Sequence, residues 1–336
     1  MNRSEKVKKY FLYALILFSC IGLVGCGKYG EKDIIKDLSK RIEKSNGYYL
    51  NGELQIINNE DSYLYDVEVA YEKSDNFRVS LKNKTNNHEQ IILKNSDGVY
   101  VLTPSLNKSF KFQSEWPYNN SQAYLLQTIL KDIESDADRK FEEINDGYVF
   151  TTKVNYSSNN NLVKQKITLY KDLNVKEVII LNDKEVVQMR MTFNSIDYKA
   201  TYDETYFTLK GNMSNVQTET TSKTLDSIIY PMYIPENTKL SGQEKVSTES
   251  GERIILTFSG DSSFMIVQET AKAAEELLTI PMYGEPYIIT DTVGALSDNS
   301  ITWSSNGVEF YVVSDTMSTE ELLEVANSIN TITVSK

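Results

Sequence analysis

Cysteine and histidine are nearly missing from this chain. Two cysteines and one histidine occur among 336 residues. The lone imidazole, His88, excludes catalytic triads built on any other histidine and excludes multi-histidine zinc sites. Cys20 and Cys26 both lie near the N-terminus. The roughly 310 residues that follow hold no disulfide and no free thiol, and a chain of that size is stabilised by its core alone. No glycine-rich phosphate loop is present. Basic residues are in deficit, with 35 Lys and Arg against 47 Asp and Glu, net −12. That balance argues against nucleic acid as a partner. Long hydrophobic runs are lacking too. The run from Tyr10 to Val24 is about 15 residues, short of the roughly 20 that cross a bilayer. There is no low-complexity tail and no block of like charge, and nothing implies a cofactor.

What is present begins with a sorting signal. Arg3, Lys6, Lys8 and Lys9, relieved by Glu5, precede the apolar run, which ends in Leu23-Val24-Gly25-Cys26. Charge, a short hydrophobic stretch and small residues at the cut make a secretory signal. The end of the run resembles a bacterial lipobox. The resemblance implies that residues 1–25 are removed, that Cys26 is the lipid-attached N-terminus, and that 26–30 form a tether. The alternatives are an uncleaved anchor helix or an ordinary signal with a chance cysteine. The mature chain keeps 31 basic and 46 acidic residues, net −15. An average surface of that sign repels anionic headgroups, so attachment is expected through the lipid and not through a basic face. The expected place is the extracytoplasmic face of the cell membrane or a spore membrane.

Periodicity predicts an α+β chain. Ile34, Ile35, Leu38 and Ile42 lie on one face of a helix over 31–46, ended by Gly47. From Tyr48 the period is two: Tyr65, Val67, Val69 and Tyr71, then Phe77, Val79 and Leu81, alternate with polar neighbours. Ser96-Asp97-Gly98 marks a hairpin. Ser121 is placed to cap a second helix reaching Glu134, with the stripe Leu125, Leu126, Ile129, Leu130 and Ile133. Strands resume over 147–154, 162–170, 175–181, 186–193 and 195–202. Helix, six strands, helix, five strands suits one antiparallel half-barrel sheet wrapped around helices over 31–210. Residues 211–223 read as a polar linker. A smaller α+β unit over 224–336 follows, with six short strands, an Asn306-Gly307 turn, and a last helix announced by the capping box Ser318-Thr319-Glu320-Glu321 and the staple pair Met317 and Leu322.

Chemistry is weakly signalled. His88 sits in the polar turn 85–89 and reads as a solvated loop residue. Glu142-Glu143 and Glu275-Glu276 are neighbours in sequence, whereas glycosidase work needs carboxylates across a cleft. Trp116, Pro117 and Tyr118 read as a packing corner, or as a cavity lip or partner patch. Leu125 and Ile129 read as core, or as cavity lining. Met189 and Met191 share one strand face, and Trp303 reads as core.

Three segments carry a family resemblance: 98–104 (GVYVLTP), 110–126 (FKFQSEWPYNNSQAYLL) and 230–235 (YPMYIP). With the element order and the lipobox, the chain resembles the superfamily of the carrier LolA, the receptor LolB and the regulator RseB. More narrowly it is similar to YdcC-type sporulation lipoproteins of Gram-positive spore formers. The resemblance implies a half-barrel closed by helices and support of cortex or cell-wall processing through a partner enzyme, such as a cell-wall hydrolase, as for germination lipoproteins of the GerS type. Three hypotheses compete: a membrane-anchored protein-binding lipoprotein, a carrier holding an acyl chain in the concave cavity, and an enzyme on peptidoglycan. The first is favoured, with Trp116, Tyr118, Leu125 and Ile129 as partner or cavity contacts.

Overall fold

Helix α1 forms at Glu31–Lys44 because Ile34, Leu38 and Ile42, spaced four apart, share one face and are buried together. The computed structural model describes residues 29–329, apart from 59–60, 157–158, 214–224, 226, 249–250 and 290. Residues 1–25, Cys26 and most of the polar segment 211–223 lie outside the described residues. The predicted helix stops two residues early: Gly47 opens the next strand, where a Cβ would stand 2.8 Å from the Ala200 carbonyl oxygen.

Six strands follow, β1 (Gly47–Asn58), β2 (Asp61–Glu72), β3 (Asn76–Asn83), β4 (Glu89–Asn95), β5 (Gly98–Thr103) and β6 (Lys108–Phe112). Helix α2 (Leu126–Ser135) then precedes β7 (Lys140–Ile144), β8 (Gly147–Lys153), β9 (Leu162–Tyr170), β10 (Val175–Asn182) and β11 (Val187–Asp197). The count of five holds, but its members differ. The strand expected at 195–202 is absent, because β11 runs unbroken to Asp197 and the chain then turns across the outer face. Strand β7 lacked a readable alternation because it is an exposed edge rich in charge, the usual defence of a free edge. Helix α2 starts four residues later than expected, with Leu125 and not Ser121 at its N-cap. Ser121 is occupied elsewhere, its Oγ accepting from the Asn155 amide at 2.9 Å.

The sheet is open. Strand β1 pairs with β11 and closes the meander into one curved surface. A register shift at Asn51/Gly52 bends this seam, and only glycine fits there, since a Cβ on Gly52 would stand 2.2 Å from the Thr192 carbonyl oxygen. The concave face packs on Ile34, Leu38 and Ile42 of α1 and on Leu126, Ile129, Leu130 and Ile133 of α2. Part of the convex face is also covered. Ala70, Ile91, Leu93, Tyr100 and Leu102 meet Phe207 and Met213, the latter in a short helix α3 (Leu209–Met213). Strands buried on both faces read as continuous apolar runs, which is why 91–93 and 99–102 lose their alternation.

The C-terminal part adds β12 (Thr238–Thr248), β13 (Gly251–Gly260), β14 (Phe264–Thr270), β15 (Leu278–Met282), β16 (Glu285–Ile289), β17 (Thr292–Leu296), β18 (Ser300–Ser305), β19 (Val308–Val313) and helix α4 (Thr319–Asn327). Seven of these strands make an antiparallel sheet in the order β12-β13-β14-β19-β18-β17-β16. Asn306 (φ 48°) and Gly307 (φ 83°) make the expected tight turn. The capping box at Ser318 and Glu321 is present, with Met317 and Leu322 buried beside it. Strands β15 and β17 were not anticipated. Strand β15 leaves its own unit and pairs in parallel with β6, Leu278 opposite Lys108 and Met282 opposite Phe112. The first sheet thereby has twelve strands, with β15 covering an edge that β6 would otherwise leave open.

Candidate partner-binding site

The interior of the half-barrel decides what can bind there. Helices α1 and α2 fill one end. Strand β17 fills the other, where Val293 and Ala295 join the core of the first sheet. A buried polar clasp holds β17 in place. Gln90 of β4 donates from Nε2 to the Val293 carbonyl oxygen (3.0 Å) and accepts at Oε1 from the Val293 amide and from the Thr292 hydroxyl (2.8 Å). Asn83 donates to the Asp291 carbonyl oxygen at 3.3 Å. Buried amides of this kind are retained only when their hydrogen bonds are made. The space left where Val101, Phe110 and Phe112 face Val293, Ala295 and Trp303 is about 50 Å³. That is room for one or two waters, not for an acyl chain. Trp303 itself is core, stacked on Phe310 with centroids 5.0 Å apart.

The four expected contact residues separate. Trp116, at 1% exposure, stands edge-on to Phe77 at 6.0 Å, and Leu125 and Ile129 are equally enclosed. These three offer no surface to a partner. Tyr118 is 39% exposed. Its hydroxyl donates to Asp75 Oδ1 at 2.7 Å, and the Lys94 ammonium lies 4.7 Å from its ring centroid. Burial and the Asp75 carboxylate push its phenol well above the ordinary tyrosine range. The corner is tied to the C-terminal part, since Asn119 and Asn120 both donate to Glu285. Met191 is fully buried, and Met189 is partly buried against the same core.

His88 corrects an expectation. It is not a solvated loop residue, because its Nε2 is buried without a hydrogen-bond partner. Burial lowers its pKa, opposed by the nearby charges of Asp291 and Glu89. The sign of the pH effect follows. Below about pH 6.5 the unfolded chain takes up a proton that the folded chain resists. Stability is therefore expected to be full above pH 6.5 and to fall as the pH drops from there towards the lowered native pKa. Unfolding of the native chain and of His88→Gln across that window checks this, and parallel curves would refute it. No group of three or more His, Cys, Asp or Glu able to hold a metal occurs among the described residues. Asp132, missed in the sequence, is raised by burial but bonded by Gln165 at 2.7 Å, a structural arrangement. Glu143 pairs with Lys171 at 2.9 Å on the edge of the sheet, and Glu275 and Glu276 are exposed.

The segment 230–235 stands apart. Pro231 and Pro235 are buried, while Met232 is 83% exposed and Tyr230, Tyr233 and Ile234 also face solvent. The strip is built, not slack. Gln268, fully buried, clasps Ile229 by accepting from its amide (3.0 Å) and donating to its carbonyl. The Met232 amide donates to the Ser328 carbonyl at the end of α4 (3.2 Å), and the Tyr230 hydroxyl to Gln243 at 2.6 Å. Two prolines restrict the backbone further. A preordered strip of aromatic and aliphatic side chains has the properties of a binding anchor, since its ordering cost is already met. Sequence reading noted this segment for its resemblance only. The signal it held was apolar residues between prolines with neither helical nor strand period.

No family model matches the chain. The sporulation protein YdcC of Bacillus subtilis (strain 168) is 36% identical over 331 residues, covering 97% of this chain and 98% of that protein. Among solved structures, the complex of Pseudomonas aeruginosa MucA and MucB contains a chain 14% identical, covering 88% of this chain and 98% of that one, TM-score 0.31. The complex of the Clostridioides difficile CwlD amidase with the GerS lipoprotein contains one 16% identical, covering 52% and 96%, TM-score 0.31. The LolA-superfamily protein NE2245 from Nitrosomonas europaea is 9% identical, covering 52% and 97%, TM-score 0.30.

Proposed function

Because the chain belongs to the family of the sporulation protein YdcC, we propose that it serves spore formation by binding a cell-envelope protein. It does so from a lipid anchor at Cys26, on the extracytoplasmic side of the membrane, and it performs no catalysis itself. The partner class is a cell-wall-processing enzyme, as the sequence resemblance implies. The observation that carries binding over transport is the filled hollow. Between the sheet and β17 about 50 Å³ remains, against the several hundred that a small-molecule site needs, and the groove of about 640 Å³ where Ile42, Tyr71, Gln127 and Leu130 meet is open and rimmed by the charges of Glu43, Lys73, Lys131 and Glu134. An ordered apolar strip, Met232–Ile234, is instead left open to solvent.

A photo-crosslinking residue at position 232, expressed in sporulating cells, is expected to give one discrete adduct with an envelope protein. The same residue at Lys245, exposed on β12, is expected to give none. Met232→Asp removes the contact while changing stability by less than about 0.5 kcal/mol, as for other exposed positions. No adduct at 232 throughout sporulation, or a non-covalent lipid retained by the purified chain in native mass spectrometry, would turn the reading back towards a carrier.

A further inference from the structure

The acidic net charge of the chain hides a lysine-rich helix face next to the tether, with cations in excess of carboxylates. Lys32, Lys36, Lys40 and Lys44 recur every four residues along α1, all exposed, and none has an ion-pair partner among the described residues. They form one stripe opposite the buried Ile34, Leu38 and Ile42, shared with the exposed Asp33, Asp37 and Glu43, of which Asp33 is bonded by the Gly30 amide and Asp37 by the Tyr29 hydroxyl. At the C-terminal end of the stripe the surface opens into a groove of about 670 Å³, which Lys40, Arg41, Lys44 and Lys171 line with Tyr29 and Tyr148. Asp37 and Asp172 also reach it, and Asp37 is engaged by the Tyr29 hydroxyl at 2.9 Å.

We propose that this stripe of α1 lies against the anionic headgroups of the membrane to which the chain is tethered. The inference rests on the anchor at Cys26. Five peptide steps separate Cys26 from Glu31, and a fully extended chain advances at most about 3.6 Å per residue, so α1 begins within roughly 18 Å of the acylated residue. The helix is about 20 Å long and can reach the headgroup layer along its length. Charge complementarity chooses the face: lysines near an anionic surface are attracted to it, whereas the acidic remainder is repelled. Tyr29 and Tyr148 flank the groove with the amphipathic rings favoured at such a boundary. The expectation of attachment through the lipid alone rested on averaged charge, whereas screening within about 8 Å makes local charge, not net charge, the relevant quantity.

The test uses the lipidated protein from its own cell, reconstituted into vesicles of phosphatidylcholine alone or with phosphatidylglycerol, and a water-soluble amine-acetylating reagent. Lys32, Lys36, Lys40 and Lys44 are expected to be acetylated severalfold more slowly on the phosphatidylglycerol vesicles, with high salt restoring the rate. Lys239 and Lys245, exposed on the other sheet, are expected to react equally on both. Equal rates at all six lysines on vesicles that carry the protein overturn the inference and leave the anchor standing. A protein that floats with neither vesicle overturns the anchor, and the inference with it.

Discussion

Replacing Trp116 with alanine is expected to destabilise the chain by about 4 kcal/mol, the usual cost of emptying a large buried aromatic site. The indole is enclosed between the sheet and the entry to α2, edge-on to Phe77, which in turn contacts Tyr71 and Tyr118. Removing it leaves a void that this aromatic cluster cannot fill without moving α2, whose Leu126, Ile129 and Ile133 pack on the same core. Urea unfolding measures the loss, with Tyr118→Phe as the comparison. That change removes only the hydroxyl bond to Asp75, about 1 kcal/mol. An unshifted urea midpoint for Trp116→Ala, with partner capture lost, would make the residue a contact and not a packing corner.

Gln90→Ala is expected to cost about 3 kcal/mol and to act at one place. The change strands the Val293 amide and the Val293 carbonyl in a buried site, while the Thr292 hydroxyl keeps the Ser304 carbonyl as acceptor, and each stranded group costs roughly 1–3 kcal/mol before relaxation. Strand β17 is held on its other side by β16 and β18, so the damage falls on the junction between the two sheets and not on either sheet alone. Hydrogen exchange is the readout. The Val293 amide should lose protection while those of β9 and β10, across the first sheet, keep theirs. If β17 stays as protected as before, the clasp does not hold the hollow shut, and the case against a carrier weakens with it.

The legible parts of this chain were those governed by neighbours in sequence. The stripes of α1 and α4, the capping box at Ser318 and the Asn306-Gly307 turn all depend on residues within a few positions of each other. The unread parts depend on partners far away. Strand β15 is a strand only because β6, some 170 residues earlier, offers it an edge. Its sequence, with Pro281 inside, carries no strand pattern, and an edge is where a sheet tolerates proline. Ser121 looked like a cap by local rule and was taken by Asn155. Of the four candidate contacts, residue type could suggest an aromatic corner, but whether it faced in or out turned on how α2 lay over the sheet.

By itself the sequence determined that this protein has no disulfide after Cys26, has no second histidine for a multi-histidine metal site, and alternates into a largely antiparallel α+β chain, because composition and period need no tertiary contact to act. The tertiary structure alone decided that one end of the half-barrel is occupied by its own C-terminal strand, that the His88 Nε2 is buried, and that Met232 stands open to solvent. Burial is a property of what the rest of the chain places nearby, and that is set by the summed packing of distant segments, not by any local run of residues.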